Sequence, residues 1–352
     1  MSTPGNILVI RLSSLGDVLM CMPAVKAIRD RFPGARITWL VEGPVGELLS
    51  CQTFIDEVVQ FPRGRLQDGL RAGQLISIAR EIKSFLAHLR KDRYDCVVDF
   101  HGIIKSALIS VCARGDRKIG FGAVHAKEKS HIFYGECVHG TDRRMHKVDK
   151  NMLMARYLGA GNTAAKITLQ VPDIVHEYID IFFQQTGLRP PVFAMNPFSS
   201  KGTDFKRWPI ERYARLIGMI KDHMGAQTLV LWGPGEKEEA ERLKAMAGES
   251  AFLACPTNIP QLYALLEKVD MYIGGDTGVM HLASAAQAPV VAIFGPTDVK
   301  VNAPYGLNNM ILRKELPCSP CKKKDCQERT CMEGISVEDV FEAVKGMSEK
   351  AG

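Results

Sequence analysis

No apolar run in the 352 residues reaches the roughly 20 positions that a bilayer-spanning helix needs. The opening MSTPGNILVIRLSS has no basic segment followed by an apolar stretch and a cleavage site, so the expected location is the cytoplasm. Tandem repeats are absent. A composition of 46% hydrophobic, 24% charged and 7% aromatic residues excludes the disordered, collagenous and coiled-coil classes. A disulfide framework is missing too: Cys21, Cys51, Cys96, Cys112, Cys137 and Cys255 are scattered through ordinary segments, as buried thiols in a reducing compartment would be.

What is present is enough chain for two domains at roughly 150 residues each, with an uneven charge. Residues 1–170 hold 25 Lys+Arg against 16 Asp+Glu, a balance of +9, and the remainder holds 20 against 23, a balance of −3. A lobe this basic would attract a nucleic acid, an acidic sugar or membrane phosphates, and a solvated surface with no particular partner explains the excess equally well. Residues 6–12, NILVIRL, read as a strand, and Val18, Met22, Val25 and Ile28 then recur at helical spacing until Phe32-Pro33-Gly34. Strands over 37–41 and 96–100, a helix over 76–89 and a helical segment from 104 continue the alternation. Residues 115–150 are rich in Lys, Arg, His and Gly with little periodicity, and a long basic loop or pair of loops is expected there. A helix over 174–186 leads to Gly187 and Pro190-Pro191, a natural joint. The alternation restarts with strands over 192–196, 228–232, 271–274 and 289–294 and helices over 210–224, 236–247, 259–268 and 278–286, before a final amphipathic helix over 337–347. The fold class is α/β, two lobes with parallel sheets and right-handed crossovers.

The strongest local signal is MYIGGDTGVMHLASAAQAPVVAIFGPTD, residues 271–298. Strand, Gly-Gly, Asp-Thr-Gly and helix place unpaired backbone amides at the carboxyl end of a sheet, where a phosphate binds through the amides and the helix dipole. Asp276 or Thr277 would cap that helix, Gly278 would let a ligand approach closely, and His281 would share the face of Thr277. A plain N-cap with an internally satisfied histidine fits the spacing as well. The loop Arg11-Leu12-Ser13-Ser14-Leu15-Gly16-Asp17 is neither Gly-x-Gly-x-x-Gly nor a P-loop, yet it stands where open α/β sheets bind ligands. Asp17 is either a helix cap or a general base aimed into a cleft. Ser199, Ser200 and Lys206, just before Trp208-Pro209, offer hydroxyls and a cation for a diphosphate. Glu236, after Trp232-Gly233-Pro234-Gly235, either holds ribose hydroxyls or begins the next helix. Cys318-x2-Cys321-x4-Cys326-x4-Cys331, beside Lys322-Lys323-Lys324, could meet around one structural Zn or hold an iron-sulfur cluster, or remain reduced or reversibly paired thiols. No neighbouring His or carboxylate set forms an open catalytic metal site.

Together these segments resemble glycosyltransferase family 9, the ADP-heptose:lipopolysaccharide heptosyltransferases. The matching pieces are the loop Arg11 to Asp17 with Pro23-Ala24, then Asp99-Phe100-His101-Gly102-Ile103-Ile104-Lys105-Ser106-Ala107, Lys206-Arg207-Trp208-Pro209, Asp276-Thr277-Gly278-Val279-Met280-His281 and Phe294-Gly295-Pro296-Thr297-Asp298. The resemblance implies a GT-B architecture, two Rossmann-like lobes facing a central cleft. The acceptor would bind domain 1–172, to which a C-terminal helix 336–352 would cross back, and the nucleotide sugar would bind domain 190–335. It implies an inverting, metal-independent transfer of L-glycero-D-manno-heptose from ADP-heptose to the Kdo/heptose inner core of lipopolysaccharide, with no cofactor required for catalysis. Asp17 would deprotonate the acceptor, with Ser14, Gly16 and Lys105 at the acceptor. Lys206, Ser199 or Ser200 and the amides of Thr277 and Gly278 would stabilise the leaving diphosphate. Asp276 would lie near the sugar, His281 beside the nucleotide and Glu236 at the ribose. Lipid A-Kdo or a heptosylated core would be the acceptor, met at the inner face of the cytoplasmic membrane by a peripheral protein, and no nucleic acid would be a partner. The alternatives are a GT-B transferase with another nucleotide-sugar donor and a nucleic-acid-binding protein with a four-cysteine zinc site.

Overall fold

The computed structural model describes residues 3–161, 168–321 and 323–351. Contacts divide the chain into two units, Met1–Gln170 and Val171–Gly352. In the first, six parallel strands are ordered β3-β2-β1-β4-β5-β6: β1 (Asn6–Ile10), β2 (Arg36–Val41), β3 (Glu57–Gln60), β4 (Tyr94–Asp99), β5 (Gly115–Phe121) and β6 (Glu136–Val138). In the second the order is β12-β11-β10-β7-β8-β9: β7 (Val192–Asn196), β8 (Gln227–Val230), β9 (Ala251–Leu253), β10 (Met271–Gly275), β11 (Val290–Phe294) and β12 (Asn309–Arg313). Central strands are continuous apolar runs because helices cover both faces of a parallel sheet; Ile7, Leu8, Val9 and Ile10 of β1 are fully buried. Each order has one point where the chain changes direction along the sheet, between β1 and β4 and between β7 and β10. Ligands of open α/β sheets bind outside the carboxyl ends of the strands at such a point.

Several elements differ from the sequence expectation. The first helix is two, Leu15–Leu19 and Met22–Arg31, the second with Pro23 in its first turn, where a missing N–H costs nothing. The expected basic loop over 115–150 contains β5 and β6 and the start of the helix Lys147–Tyr157. Its strands are masked by charge: Arg117 on β5 donates to Glu136 on β6 at 2.7 and 2.6 Å, so residues that read as loop form a cross-strand pair.

The last helix is Val337–Ala351. Val337, Val340, Phe341, Val344 and Met347 form its apolar stripe and are buried in the core of the second unit, with Trp208, Ile217 and Ile220. The helix packs on Ile210–Met224, β11 and β12. The helix Asp173–Thr186, expected near the joint, also belongs to the second unit, where it packs on Ile259–Glu267.

Candidate functional site

In the first unit β1 and β4 lie side by side, and their carboxyl ends run into 11–17 and 100–102. The buried Arg11 ties them together: Nη1 donates to the carbonyl of Phe100 at 2.8 Å and Nη2 pairs with Asp17 Oδ2 at 2.7 Å. The other carboxylate oxygen of Asp17 pairs with Lys147 Nζ at 2.7 Å, and Ser14 Oγ donates to Oδ2 at 3.4 Å. Asp17 is therefore no helix cap. Its side chain is 20% exposed and held between a fixed guanidinium and the ammonium at the start of Lys147–Tyr157. One turn on, Lys150 lies over the Phe121 ring, Nζ 4.5 Å from the centroid. Burial, with Arg11 nearby, pulls Lys150 down to about 8. Burial and Arg11 also pull His101 down to about 3, so its ring is neutral near pH 7; Nδ1 accepts from the amide of Leu12 at 3.2 Å, leaving the proton on Nε2.

Beside this loop Glu42 is buried, with one oxygen on Lys105 at 2.7 Å and the other on Arg63 at 2.8 Å. Burial works against its charge, but Lys105, Ser13 and Arg63 outweigh it and hold the carboxyl below its ordinary range. Lys105 is thus positioned, its Nζ also 5.0 Å from the centre of the Phe61 ring. Asp99, fully buried, is pushed up by burial and accepts from the amides of His101 (2.7 Å) and Gly102 (3.2 Å) and from the Tyr134 hydroxyl (2.7 Å), which fixes the second loop.

In the second unit the loops after β7, β8, β10 and β11 gather at one sheet edge. Gly274 permits the approach of β10 to β7: a Cβ there would lie 2.5 Å from the Tyr272 hydroxyl and 2.9 Å from the carbonyl of Asn196. Lys206 Nζ and Asp276 Oδ2, named separately from sequence, pair at 3.0 Å. Thr277 occupies the cap position of Gly278–Ala285 in extended conformation without a side-chain cap bond, and its hydroxyl accepts from Asn196 Nδ2 at 3.4 Å. The expected capping by Asp276 or Thr277 is corrected accordingly, and the helix start is left without a capping side chain. His281 is buried inside that helix. The Thr297 hydroxyl, after β11, is buried with no hydrogen-bond partner.

Ser199 is buried, and its hydroxyl accepts from Arg207 Nε at 3.1 Å; Ser200 is exposed. Arg207 also reaches the carbonyl of Ser199 at 3.0 Å and Glu239 at 3.1 Å, and so fastens the whole loop. Trp208 anchors its end, with the indole edge-on to Tyr213 at 4.9 Å and Nε1 donating to the carbonyl of Ile335 at 3.0 Å. Glu236 accepts from the amide of Gly233 at 2.8 Å and is pushed up by burial, so it closes its own turn and precedes Lys237–Ala247. Arg11, Lys147, Lys150, Asn196 and Arg207 were not singled out as site residues from sequence, because each has a partner far along the chain; nor was Thr297, whose burial shows only in the fold.

The four clustered cysteines border a single small cavity. Burial and the neighbouring Cys321, Cys326 and Cys318 push the Cys331 thiol up. Among the described residues no three His, Cys, Asp or Glu side chains are gathered closely enough to hold an ion as they stand. Lys322 lies outside the described residues. No described helix is long and apolar enough to cross a membrane.

Comparison with known proteins bears on this pair of sheet edges. The chain is similar to lipopolysaccharide heptosyltransferase 1 of Escherichia coli K12, 28% identical over 313 residues that cover 88% of this chain and 93% of that protein. Its fold matches the crystal structure of a family 9 glycosyl transferase from Veillonella parvula, with a TM-score of 0.83, 21% identity and 98% of each chain covered. It also matches the Escherichia coli heptosyltransferase solved with ADP, with a TM-score of 0.76, 24% identity and 99% and 100% of the two chains covered. Two parallel Rossmann-like sheets make the architecture GT-B, and an enzyme family decides against the nucleic-acid-binding alternative. Residues 82–332, which carry the Lys105 loop, the Lys206 loop and the Asp-Thr-Gly helix start, match the profile of glycosyltransferase family 9 (heptosyltransferase), and the chain belongs to that family.

Proposed function

We propose that the chain moves L-glycero-D-manno-heptose from ADP-heptose to the Kdo/heptose inner core of lipopolysaccharide, with inversion and without a catalytic metal. The observation that carries the reading is the pair of charged loops at the two topological switch points: a carboxylate held ready in the first unit, and a cation beside an uncapped helix start in the second. Asp17 takes the proton of the acceptor hydroxyl, whose oxygen bonds to the anomeric carbon as the bond from that carbon to the diphosphate breaks. The electron pair leaves with ADP, whose new charge falls on Lys206, on the amides of Thr277 and Gly278, and on Ser200 and Thr297. Ser199 serves through Arg207 rather than directly. Glu236 meets the ribose with the oxygen not given to Gly233, Asp276 lies near the sugar, and His281 shapes the pocket from inside the helix. Lys105, Ser14 and Gly16, with Lys147, receive an acidic acceptor, and the +9 balance of residues 1–170 suits lipid A phosphates at the inner membrane face.

The acceptor completes the base. A carboxylate bound on both oxygens is a poor proton acceptor, and Arg11, buried and tied to Phe100, cannot leave. Lys147 is 31% exposed on a flexible stem, and an acidic group on the acceptor draws it away. The test is calorimetric titration with ADP, UDP and GDP, followed by turnover with the matching sugars. Selective ADP binding, lost in Thr277→Pro, and consumption of ADP-heptose alone support the reading. Preference for a UDP- or GDP-sugar would replace the donor and keep the fold.

A further inference from the structure

The transfer reaction leaves the cysteine cluster unused. Cys318, Cys321, Cys326 and Cys331 line one cavity of about 30 Å³, together with Phe205, Pro296, Lys323 and Arg329. That volume holds about one water-sized body, which suits a single ion. We infer that these four thiols form a mononuclear thiolate site for zinc or iron, which fastens the segment 317–333 to two loops at the carboxyl edge of the second sheet.

Four observations carry this. First, the attachments already exist: Ser319 Oγ donates to the carbonyl of Gly295 at 2.9 Å, and the amide of Cys321 donates to the carbonyl of Pro296 at 3.0 Å. Arg329 Nη2 donates to the carbonyls of Arg207 at 2.7 Å and Asp204 at 3.2 Å. The cavity is thus bordered by the loop after β11 and linked to the loop that carries Lys206. Second, Gly295 makes room for the cluster, since a Cβ there would lie 2.1 Å from Met332 Sδ and 3.4 Å from Cys331 Sγ. Third, four thiolates around a divalent ion carry two excess negative charges, and Lys323 and Arg329 at the cavity wall oppose them. Fourth, the thiols surround the cavity without clasping it, and Cys318, Cys321 and Cys326 lie in chain with no helix or strand. Metal binding draws that chain inward, the thiol protons passing to solvent, so that binding and ordering are one event. Four protein ligands leave no open position, and the site is structural.

The test uses the full chain, purified anaerobically with reductant and without chelator. Elemental analysis should find about one zinc or iron per chain and identify which. Stripped of metal under reducing conditions and given Co²⁺, the wild-type chain should develop the thiolate charge-transfer and visible bands of a tetrahedral cobalt site. The double variant Cys326→Ser/Cys331→Ser should lose both signals, and Cys112→Ser, an exposed cysteine elsewhere, should keep them. Absence of metal together with absence of cobalt bands overturns the inference, as does metal retained by the double variant or a disulfide among the four in the reduced chain. If the double variant does not fold, the cobalt spectrum of the wild-type chain decides alone. These measurements involve no nucleotide, so their failure is distinct from failure of the transferase reading. Only the bracing of the Lys206 loop rests on that reading, and there metal removal should weaken ADP binding several-fold.

Discussion

Lys206→Met separates two contributions at the donor site. In the wild type, Lys206 Nζ is 3.0 Å from an Asp276 side chain that is only 10% exposed. Removing the ammonium costs a charge-assisted hydrogen bond to the departing diphosphate, about 1.5–3 kcal/mol. It also leaves the Asp276 carboxylate unopposed, and its repulsion of a diphosphate charge ~8 Å away is about 2 kcal/mol at an effective dielectric constant of ~20. At about 1.4 kcal/mol per decade the variant should turn over roughly 300- to 4,000-fold more slowly, with ADP affinity reduced in parallel. Lys206→Met/Asp276→Asn removes the second contribution only, so it should recover roughly thirtyfold over the single variant. The assay is ADP release under saturating acceptor, with calorimetric ADP titration alongside. Unchanged turnover in Lys206→Met refutes the assignment of the cation. A double variant no better than the single one refutes the coupling between the two side chains.

The remaining predictions concern both units. Asp17→Asn should abolish transfer while ADP affinity stays within about twofold; persistent turnover would remove Asp17 as base. Lys147→Met should raise the KM for an acidic acceptor about tenfold or more, yet leave the KM of the carboxyl-esterified acceptor unchanged, which kinetics on the two acceptors would show. Trp208→Ala should destabilise the protein by about 3–5 kcal/mol, since it empties a core site and removes one of the two side-chain donors to the carbonyl of Ile335, leaving Arg212; denaturant unfolding measures this. His101 has its pKa lowered by folding, from 6.5 to about 3. Its contribution to stability is therefore complete above pH 6.5 and declines as pH falls from 6.5 toward 3. Urea unfolding should show about 1.6 kcal/mol lost between pH 6.5 and 5 that His101→Asn does not lose.

What could be read from sequence was local. Gly16-Asp17 after an apolar strand, and Gly-Gly-Asp-Thr-Gly before a helix, are signals within one strand-turn-helix unit, and both loops lie at the carboxyl end of a sheet as that pattern implies. The counter-ions were not legible. Lys147 reaches Asp17 from a helix after β6, and Lys206 and Asp276 sit on different crossovers, so only the strand order brings each pair together. β5 and β6 escaped notice for a related reason: Arg117 and Glu136 read as loop until each neutralises the other across the ladder. The last helix shows another limit of the sequence. The stripe Val337, Val340, Val344 and Met347 shows that the segment is amphipathic but not which surface receives it.

The two sites share a consequence of being paired before any ligand arrives. An isolated half-buried carboxylate or ammonium would pay for lost hydration, and each unit avoids this with a protein partner. A ligand must then replace that partner rather than fill a vacancy, and a neutral group gains nothing by doing so. On the proposed mechanism Lys147 would yield to an acidic acceptor and Lys206 to a diphosphate, and such an exchange of partners would select for anionic substrates at the expense of raw affinity. Raising the ionic strength from 0.05 to about 0.5 M should therefore weaken ADP binding less in Lys206→Met than in the wild type, since the variant has no exchange left to screen. Equal salt dependence in the two proteins would mean that Lys206 never leaves Asp276.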